Sequence, residues 1–276
     1  MRVAIATFSV IPDGGAEAAL LRGELAGLGV EAVPVPWDDA DTDWTAFDLV
    51  VVRSTWDYTE RREEFLEWAA GVPRLRNAAP VLRWNTDKTY LRELAEAGVP
   101  VVPTLWDPAD LPSDWDEYVI KPSVSCGSRD TARWRRGDED RARAHLRRLR
   151  GEDRTVMVQP YLSAIDTEGE TALLFCDGEF SHAARKAAIL APGAGVPDRP
   201  IGGDTVPVEA TPEQLAVARE VLAHAPGDLL YARVDLVPGP DGSPVLLELE
   251  LTEPNLFLDH DPGAAARYAK AIAARL

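Results

Sequence analysis

The chain has 276 residues, enough for one large or two to three small domains with cores of their own. Its formal net charge of −17 argues against nucleic acid or an anionic membrane surface as a partner, though not against an anionic small ligand met by local cations. The two cysteines, Cys126 and Cys176, give no disulfide framework, which suits a reducing cytoplasm, and no apolar run reaches bilayer length.

Residues 1–84 predict alternating strands and helices. The opening MRVAIATFSV has one basic residue and too short an apolar stretch for a secretory signal, so it reads as a first strand, over 3–8. A helix over 16–28 closes at Gly29, followed by a strand over 31–35, an apolar strand over 49–53 and a helix over 60–70. This order predicts a parallel sheet with helices on both faces, where ligands meet the loops after the strand C-termini, here 7–15 and 54–58. Gly14-Gly15 lacks the spacing of a dinucleotide site and reads as an ordinary turn. In the second loop Thr55, Trp56, Asp57 and Tyr58 are candidates for substrate contact, with helix capping the alternative for Asp57.

Residues 85–97 predict one helix, capped by Asn85 or Thr86 and closed by Gly98 and Pro100. Lys88 then falls in the first turn, where a cation opposes the helix dipole; that suits a lysine sharing an anion with the helix, and a solvent-facing lysine is the alternative. The strand over 117–121 ends on Lys121 and opens into PSVSCGSRDT, whose backbone N–H groups can cradle phosphate oxygens while the lysine supplies charge. The lysine precedes the loop, so this is not a P-loop. Residues 131–134, a helix over 138–150 and a strand over 155–161 complete a small α+β unit, and the arginines of 133–150, interleaved with acids, read as a solvated helix face.

A hairpin over 170–176 and 179–187, turning at Asp177-Gly178, ends in SHAARK. His182 has no second His or Cys at ligand spacing and reads as a strand histidine, whereas Arg185 and Lys186 could meet a ligand's phosphates. The aperiodic run 191–205 has the length of a lid or binding loop. A helix over 211–225 has Thr211 as its cap and Pro212 at its first position; after the last strands come a loop with Glu253, Asn255 and His260 and an alanine-rich helix.

The densest chemistry lies between these, in YARVDLVPGPDGSPVLLELEL over 231–251. Two apolar runs joined by a Pro/Gly turn predict a hairpin. Period-two alternation puts Arg233 and Asp235 on one face of the first strand, Glu248 and Glu250 on one face of the second, and Leu247, Leu249 and Leu251 opposite. Three carboxylates beside one guanidinium repel unless neutralised, for which a hard divalent cation, Mg²⁺, is suited; a solvated ribbon face is the alternative.

Taken together, Lys88, Lys121 with its Ser/Gly loop, VMVQPY over 156–161, R-x-D (Arg233, Asp235) and E-x-E (Glu248, Glu250) resemble the ATP-grasp ligases in type and order. The family's last signature is usually E-x-N, so Glu250 is a departure that keeps an oxygen ligand. RSTWDY, RWNTDK, KPSVSCGS, VQPY, SHAARK and LELELTEPNLFL are similar, more closely, to the cyclo-ligases of cycloserine biosynthesis, which close O-ureido-serine into a ring. The resemblance implies an α/β, ATP-grasp fold, glutathione synthetase ATP-binding-like: an N-terminal parallel α/β domain over 1–84, a small α+β lid over 85–160, and a C-terminal α+β domain with an antiparallel sheet over 161–276. It further implies that Lys88 and Lys121 contact ATP phosphates and that Ser123, Ser125, Gly127 and Ser128 close over them. Gln159 and Tyr161 would hold adenine. Glu170 would meet the ribose, with Asp166 its rival because of the insertion SAIDTEG. Lys186 would meet phosphate oxygens with Arg185 beside it, Arg233 the transferred phosphoryl group, and Asp235, Glu248 and Glu250 two Mg²⁺ ions.

The implied reaction needs no covalent enzyme nucleophile: a substrate carboxylate takes the γ-phosphoryl group and a nitrogen then displaces phosphate. The implied partner is a small amino-acid-like carboxylate, with Glu253 and Asn255 as further substrate contacts; a homodimer is left open. The competing functions are an intermolecular amide ligase of the glutathione synthetase or D-alanine ligase kind, a non-catalytic ATP-binding protein, and, lower, a Rossmann-type binding or redox protein lacking the glycine fingerprint.

Overall fold

The structure, a computed structural model, describes residues 1–197 and 202–276. Its N-terminal sheet comprises β1 (Arg2–Thr7), β2 (Glu31–Pro36), β3 (Leu49–Val52) and β4 (Leu75–Arg76), all parallel, in the order β2-β1-β3-β4. The apolar runs that predicted β1 and β3 are buried on both faces, as a covered parallel sheet requires. Val3, Ile5, Leu49 and Val51 pack on Leu21 and Leu25 of α1 (Gly15–Gly27); Ala4, Ala6, Val50 and Val52 pack on Phe65 and Leu66 of α2 (Arg62–Gly71). Gly14 opens α1 at φ 75°, and a Cβ there would meet the Ala18 Cβ at 2.6 Å, so the turn requires glycine.

The single helix expected over 85–97 is corrected to two, α3 (Ala79–Asn85) and α4 (Tyr90–Glu96). Asn85 ends the first instead of capping the second. Its buried side chain donates to the Leu249 carbonyl (2.8 Å) and accepts from the Leu251 N–H (2.7 Å), so it is not available as a cap. Pro80, near the start of α3, is the local signal that opens this helix. Lys88 consequently lies in the turn between the helices, its N–H bonded to the Ser123 carbonyl at 3.0 Å.

A second, antiparallel sheet has the order β5-β8-β6-β7, from β5 (Leu105–Trp106), β6 (Glu117–Pro122), β7 (Ala132–Arg135) and β8 (Val156–Pro160). With α5 (Glu139–Gly151) it forms a core of its own around Ile120, Trp134, Leu146 and Val158. The third sheet, also antiparallel, runs β11-β10-β9-β12-β13: β9 (Glu170–Cys176), β10 (Glu179–Lys186), β11 (Thr205–Val208), β12 (Tyr231–Pro238) and β13 (Pro244–Glu250). α4 and α7 (Pro212–His224), the latter opened by a Thr211/Gln214 capping box, join the core on one face of this sheet. The short α6 (Ile165–Glu168) precedes it, and α8 (Ala264–Ala273) packs against α1, joining the third sheet to the first. Of the lid or binding loop predicted over 191–205, residues 198–201 lie outside the described residues. Among the described residues no helix is long and apolar enough to cross a membrane.

The β12–β13 hairpin forms with Arg233 opposite Glu250 and Asp235 opposite Glu248, but Leu236 pairs with Leu246, so Leu247 is an extra, bulged residue. The expectation for Leu247 is corrected: Leu246 takes the place beside Leu249 and Leu251 in the core, and Leu247 turns to the cavity described next.

Candidate active site

A cavity of about 400 Å³ lies between the second and third sheets. Its apolar end is walled by Val119, Ile165, Leu190 and Leu247 and by the chain segment 159–162. Its polar end gathers Lys88, Lys121, Lys186, Arg233, Glu170, Glu248 and Glu250, with Ser125, Cys126, Gly127 and Ser128 on one side. Sites contributed by residues 88 to 257 of the chain thus meet in one cleft.

The charges are paired across elements. Lys88 lies 3.1 Å from Glu248 and donates to the Ser125 carbonyl at 2.5 Å. Lys186 bridges Glu170 (2.7 Å) and Asp235 (2.6 Å). Arg233 makes a fork to Asp235 (2.9 Å to each oxygen), pairs with Glu250, and donates to the Asn255 carbonyl at 3.2 Å. Burial opposes ionisation of Asp235, but Arg233 and Lys186 outweigh it and hold that carboxyl below the usual range. Burial likewise opposes the charge on Glu248, and Lys88 and Lys121 outweigh it. Glu250 is raised to about 7 by burial, with Glu248 and Asp235 adding to the rise against the pull of Arg233. Lys121 is the contrasting case: it has no salt-bridge partner among the described residues, and burial pushes its ammonium down to about 8.

Lys88, Lys186 and Arg233 pair with the three acids directly, so their neutralisation does not rest on a divalent cation alone. Among the described residues no three His, Cys, Asp or Glu side chains form a ready-made metal cage. The donor set still fits Mg²⁺ in its usual mode, one or two carboxylates completed by substrate phosphates and water. The Glu248 and Glu250 side chains, 25% and 27% exposed, open to the cavity with hard oxygens, whereas Asp235, 1% exposed, lies behind them with both oxygens bonded.

The other predicted positions divide. Gln159 and Tyr161 reach the apolar end, where the buried Gln159 amide donates to Thr104 Oγ1 at 2.9 Å. Glu170 lines the cavity, while Asp166 is held outside it by Arg133 and the Tyr161 hydroxyl. Ser123 is buried beneath the loop and makes backbone bonds to Lys88 and Thr155. Arg185 is corrected: neighbouring strand residues face opposite sides, so with Lys186 in the cavity Arg185 is exposed on the other face. His182, buried in β10 and bonded to the Leu256 and Phe257 carbonyls, is a strand histidine.

Thr55, Trp56, Asp57 and Tyr58 do not line the cavity but approach its polar end from the C-terminus of β3. The Trp56 indole donates to the Glu253 carbonyl at 3.3 Å, and the Trp56 carbonyl accepts from Cys126 at 3.3 Å. Asp57 accepts from the Trp37 indole (2.9 Å) and faces Arg61, so it caps no helix. Glu253 is buried, and burial and Glu250 raise its carboxyl to about 8; Asn255 and Phe257 line the cavity beside it. Sequence reasoning missed Arg53, whose guanidinium bonds Glu17 and the Pro254 carbonyl (2.7 Å each), tying this edge to the loop after β13. It also missed the buried Ser54 hydroxyl, which like that of Thr55 has no hydrogen-bond partner among the described residues; its signal was position alone, just past an apolar strand.

A nucleotide-sized cleft between an antiparallel lid sheet and a larger antiparallel sheet, with lysines and acids at one end and an apolar hinge at the other, defines the ATP-grasp ligases. A family model described as "D-cycloserine synthetase DcsG, N-terminal domain" matches residues 3–79. The cycloserine biosynthesis protein DcsG of Streptomyces lavendulae is 39% identical over 270 residues, 90% of each chain. The crystal structure of D-cycloserine synthetase DcsG superposes with a TM-score of 0.90 at 35% identity, covering 100% of this chain and 99% of that one. A RimK-domain ATP-grasp protein from Sphaerobacter thermophilus shares the fold at a TM-score of 0.70 and 20% identity, covering 99% and 100%. The chain belongs to the D-cycloserine synthetase DcsG family of ATP-grasp ligases, and it is an enzyme of that ligase class, for which ATP and Mg²⁺ use is general.

Proposed function

We propose that this protein closes a ring in an amino-acid-like carboxylate at the expense of ATP, as the name of its D-cycloserine synthetase relative suggests for that protein. The observation that carries the reading is the convergence of Lys88, Lys121, Lys186 and Arg233 with Glu248 and Glu250 at the polar end of one cleft whose other end is apolar. ATP would lie with its base between Val119, Leu247 and the 159–162 hinge, its ribose near Glu170, and its phosphates among the lysines. Glu248 and Glu250 would hold Mg²⁺, two ions in the fuller form of this reading, which would supply charge neutralisation at the phosphates. The substrate would enter from the side of Thr55, Trp56 and Tyr58, with Glu253 and Asn255 around it.

A carboxylate oxygen attacks the γ-phosphorus and ADP leaves, giving an acyl phosphate. A nitrogen lone pair of the same molecule then attacks the acyl carbon, phosphate departs, and the nitrogen loses a proton. The first step spreads negative charge over the phosphoryl oxygens, which Arg233, held by Asp235, and Lys121, with no salt-bridge partner among the described residues, would meet. Positioning does much of the rest. The division at 1–84, 85–160 and 161–276 serves this reading, as does a cytoplasmic setting consistent with two free cysteines.

The test is incubation with ATP, Mg²⁺ and a panel of amino-acid-like carboxylates, reading ADP release and product mass. Ring closure by simple condensation gives a product one water lighter than a single substrate; a cross-condensed mass makes the enzyme an intermolecular ligase. Lys121→Ala and Glu248→Ala should each lower ADP release by at least about a hundredfold with the fold intact. Turnover at the wild-type rate in either variant contradicts the assignment.

A further inference from the structure

Arg133 is used in neither step, yet it is among the most constrained side chains of the molecule. It was expected on a solvated helix face; it lies instead on β7, 5% exposed. Its Nε donates to Glu117 at 2.7 Å, and Nη1 and Nη2 reach the two Asp166 oxygens at 2.8 and 3.0 Å. The guanidinium lies 3.4 Å from the centre of the Tyr161 ring, and the Tyr161 hydroxyl donates to Asp166 at 2.6 Å. Tyr161 N–H bonds the Glu117 carbonyl, and the Arg133 carbonyl accepts from Gly193 N–H at 3.0 Å. This one residue, by side chain and backbone, therefore ties β6, β7, the 159–162 hinge, α6 and the chain after β10. Tyr161, Ile165 and Leu190, carried by the last three, all wall the apolar end of the cavity.

Exposed ion pairs contribute little, but a buried planar guanidinium stacked on a ring and forked between two carboxylates fixes the groups it touches. We infer that Arg133 is the positioning residue for the nucleotide base: stacked on Tyr161 and cross-linked to Glu117 and Asp166, it sets the shape of the hinge wall that receives the base. The inference rests on the ATP reading above and adds to it a residue that touches no phosphate. It separates base recognition from chemistry, since Arg133 and the Arg233–Asp235 fork share no partner.

The test compares wild type, Arg133→Ala, Arg133→Lys, Tyr161→Ala and the Arg133→Ala/Tyr161→Ala double variant by ATP binding and steady-state kinetics. Arg133→Ala should raise the Kd and KM for ATP about tenfold or more and reduce the preference for ATP over GTP. It should leave kcat within about threefold and the KM of the carboxylate unchanged. Lysine should not restore affinity, because it lacks the planar fork. The double variant should bind ATP no worse than the weaker single, the sign of a coupled pair. Wild-type ATP affinity in folded Arg133→Ala, equal loss toward both substrates, or additive effects in the double variant would each overturn the inference. If Arg133→Ala does not fold, Glu117→Gln, which keeps the stack and weakens one anchor, takes its place and should raise the ATP Kd alone. A wild type that fails to bind ATP sinks the ATP reading; a wild type that binds it while the variants bind equally well sinks only the role of Arg133.

Discussion

Lys121 concentrates the electrostatics of the site in one side chain. Lys88 and Lys186 have carboxylate partners, so their charge survives burial; Lys121 has none within salt-bridge distance among the described residues, and burial brings its ammonium to about 8. A triphosphate favours the charged form, so binding must take up a proton wherever the free enzyme holds the neutral amine. Below pH 8 the free lysine is already charged and adds no pH dependence of its own to ATP affinity, whereas Glu250 still titrates near 7. Above pH 8, affinity should fall by about tenfold per pH unit until the bound-state titration is reached. Isothermal titration in buffers of different ionisation heat at pH 8.5 should show a proton uptake that the Lys121→Arg variant loses. Lys121→Arg, charged throughout, should remove the lysine's share of the fall above pH 8 whatever it does to the affinity itself. A wild-type Kd constant between pH 7 and 10 would rule out a buried, unpaired ammonium at this position.

At the scale of elements, the β12–β13 hairpin shows what alternation can and cannot say. The turn PGPDGS and the Arg233/Asp235 and Glu248/Glu250 spacing were legible, and the strands pair with those residues opposed. The bulge was not, because an extra residue in one strand leaves no mark on the alternation and depends on what the partner needs. Its consequence is measurable: Leu246→Ala, in the core, should cost about 2–5 kcal/mol of stability. Leu247→Ala should cost less and weaken ATP binding instead, by urea denaturation and nucleotide titration respectively. The reverse order would place Leu247 in the core. The helix over 85–97 was misread for a related reason: Asn85 has the chemistry of a cap, but its amide completes the backbone of β13, more than 160 residues along the chain. Arg133 was hidden likewise, since Glu117 and Asp166 neutralise it from segments 16 and 33 residues away. What could be read locally was strand and turn chemistry and the acidic and lysine motifs; what could not was which distant group each polar side chain answers.

For the whole molecule, the cavity draws one wall from the second sheet and the other from the third, and nucleotide bound there would join them. Lys121 and Gln159 belong to the first of these sheets, Lys186, Arg233, Glu248 and Glu250 to the second, and only Lys88 comes from the turn that connects the helices beneath. The lid sheet has its own small core around Ile120, Trp134 and Leu146, separate from that of the third sheet. A ligand spanning both sheets stabilises the native state by its binding free energy, about 2.7 kcal/mol at a hundredfold excess over Kd. That corresponds to about 5 °C in Tm for a chain of this size. ATP with Mg²⁺ should produce that shift, while ATP in excess chelator should give distinctly less, because the facing carboxylates Glu248 and Glu250 then meet the phosphates without a bridging cation. AMP, which reaches the hinge but not the lysines of the polar end, should give less again. Equal shifts from AMP and from ATP with Mg²⁺, measured by calorimetry, would mean that the apolar end alone holds the ligand and that the two sheets are not joined through the phosphates.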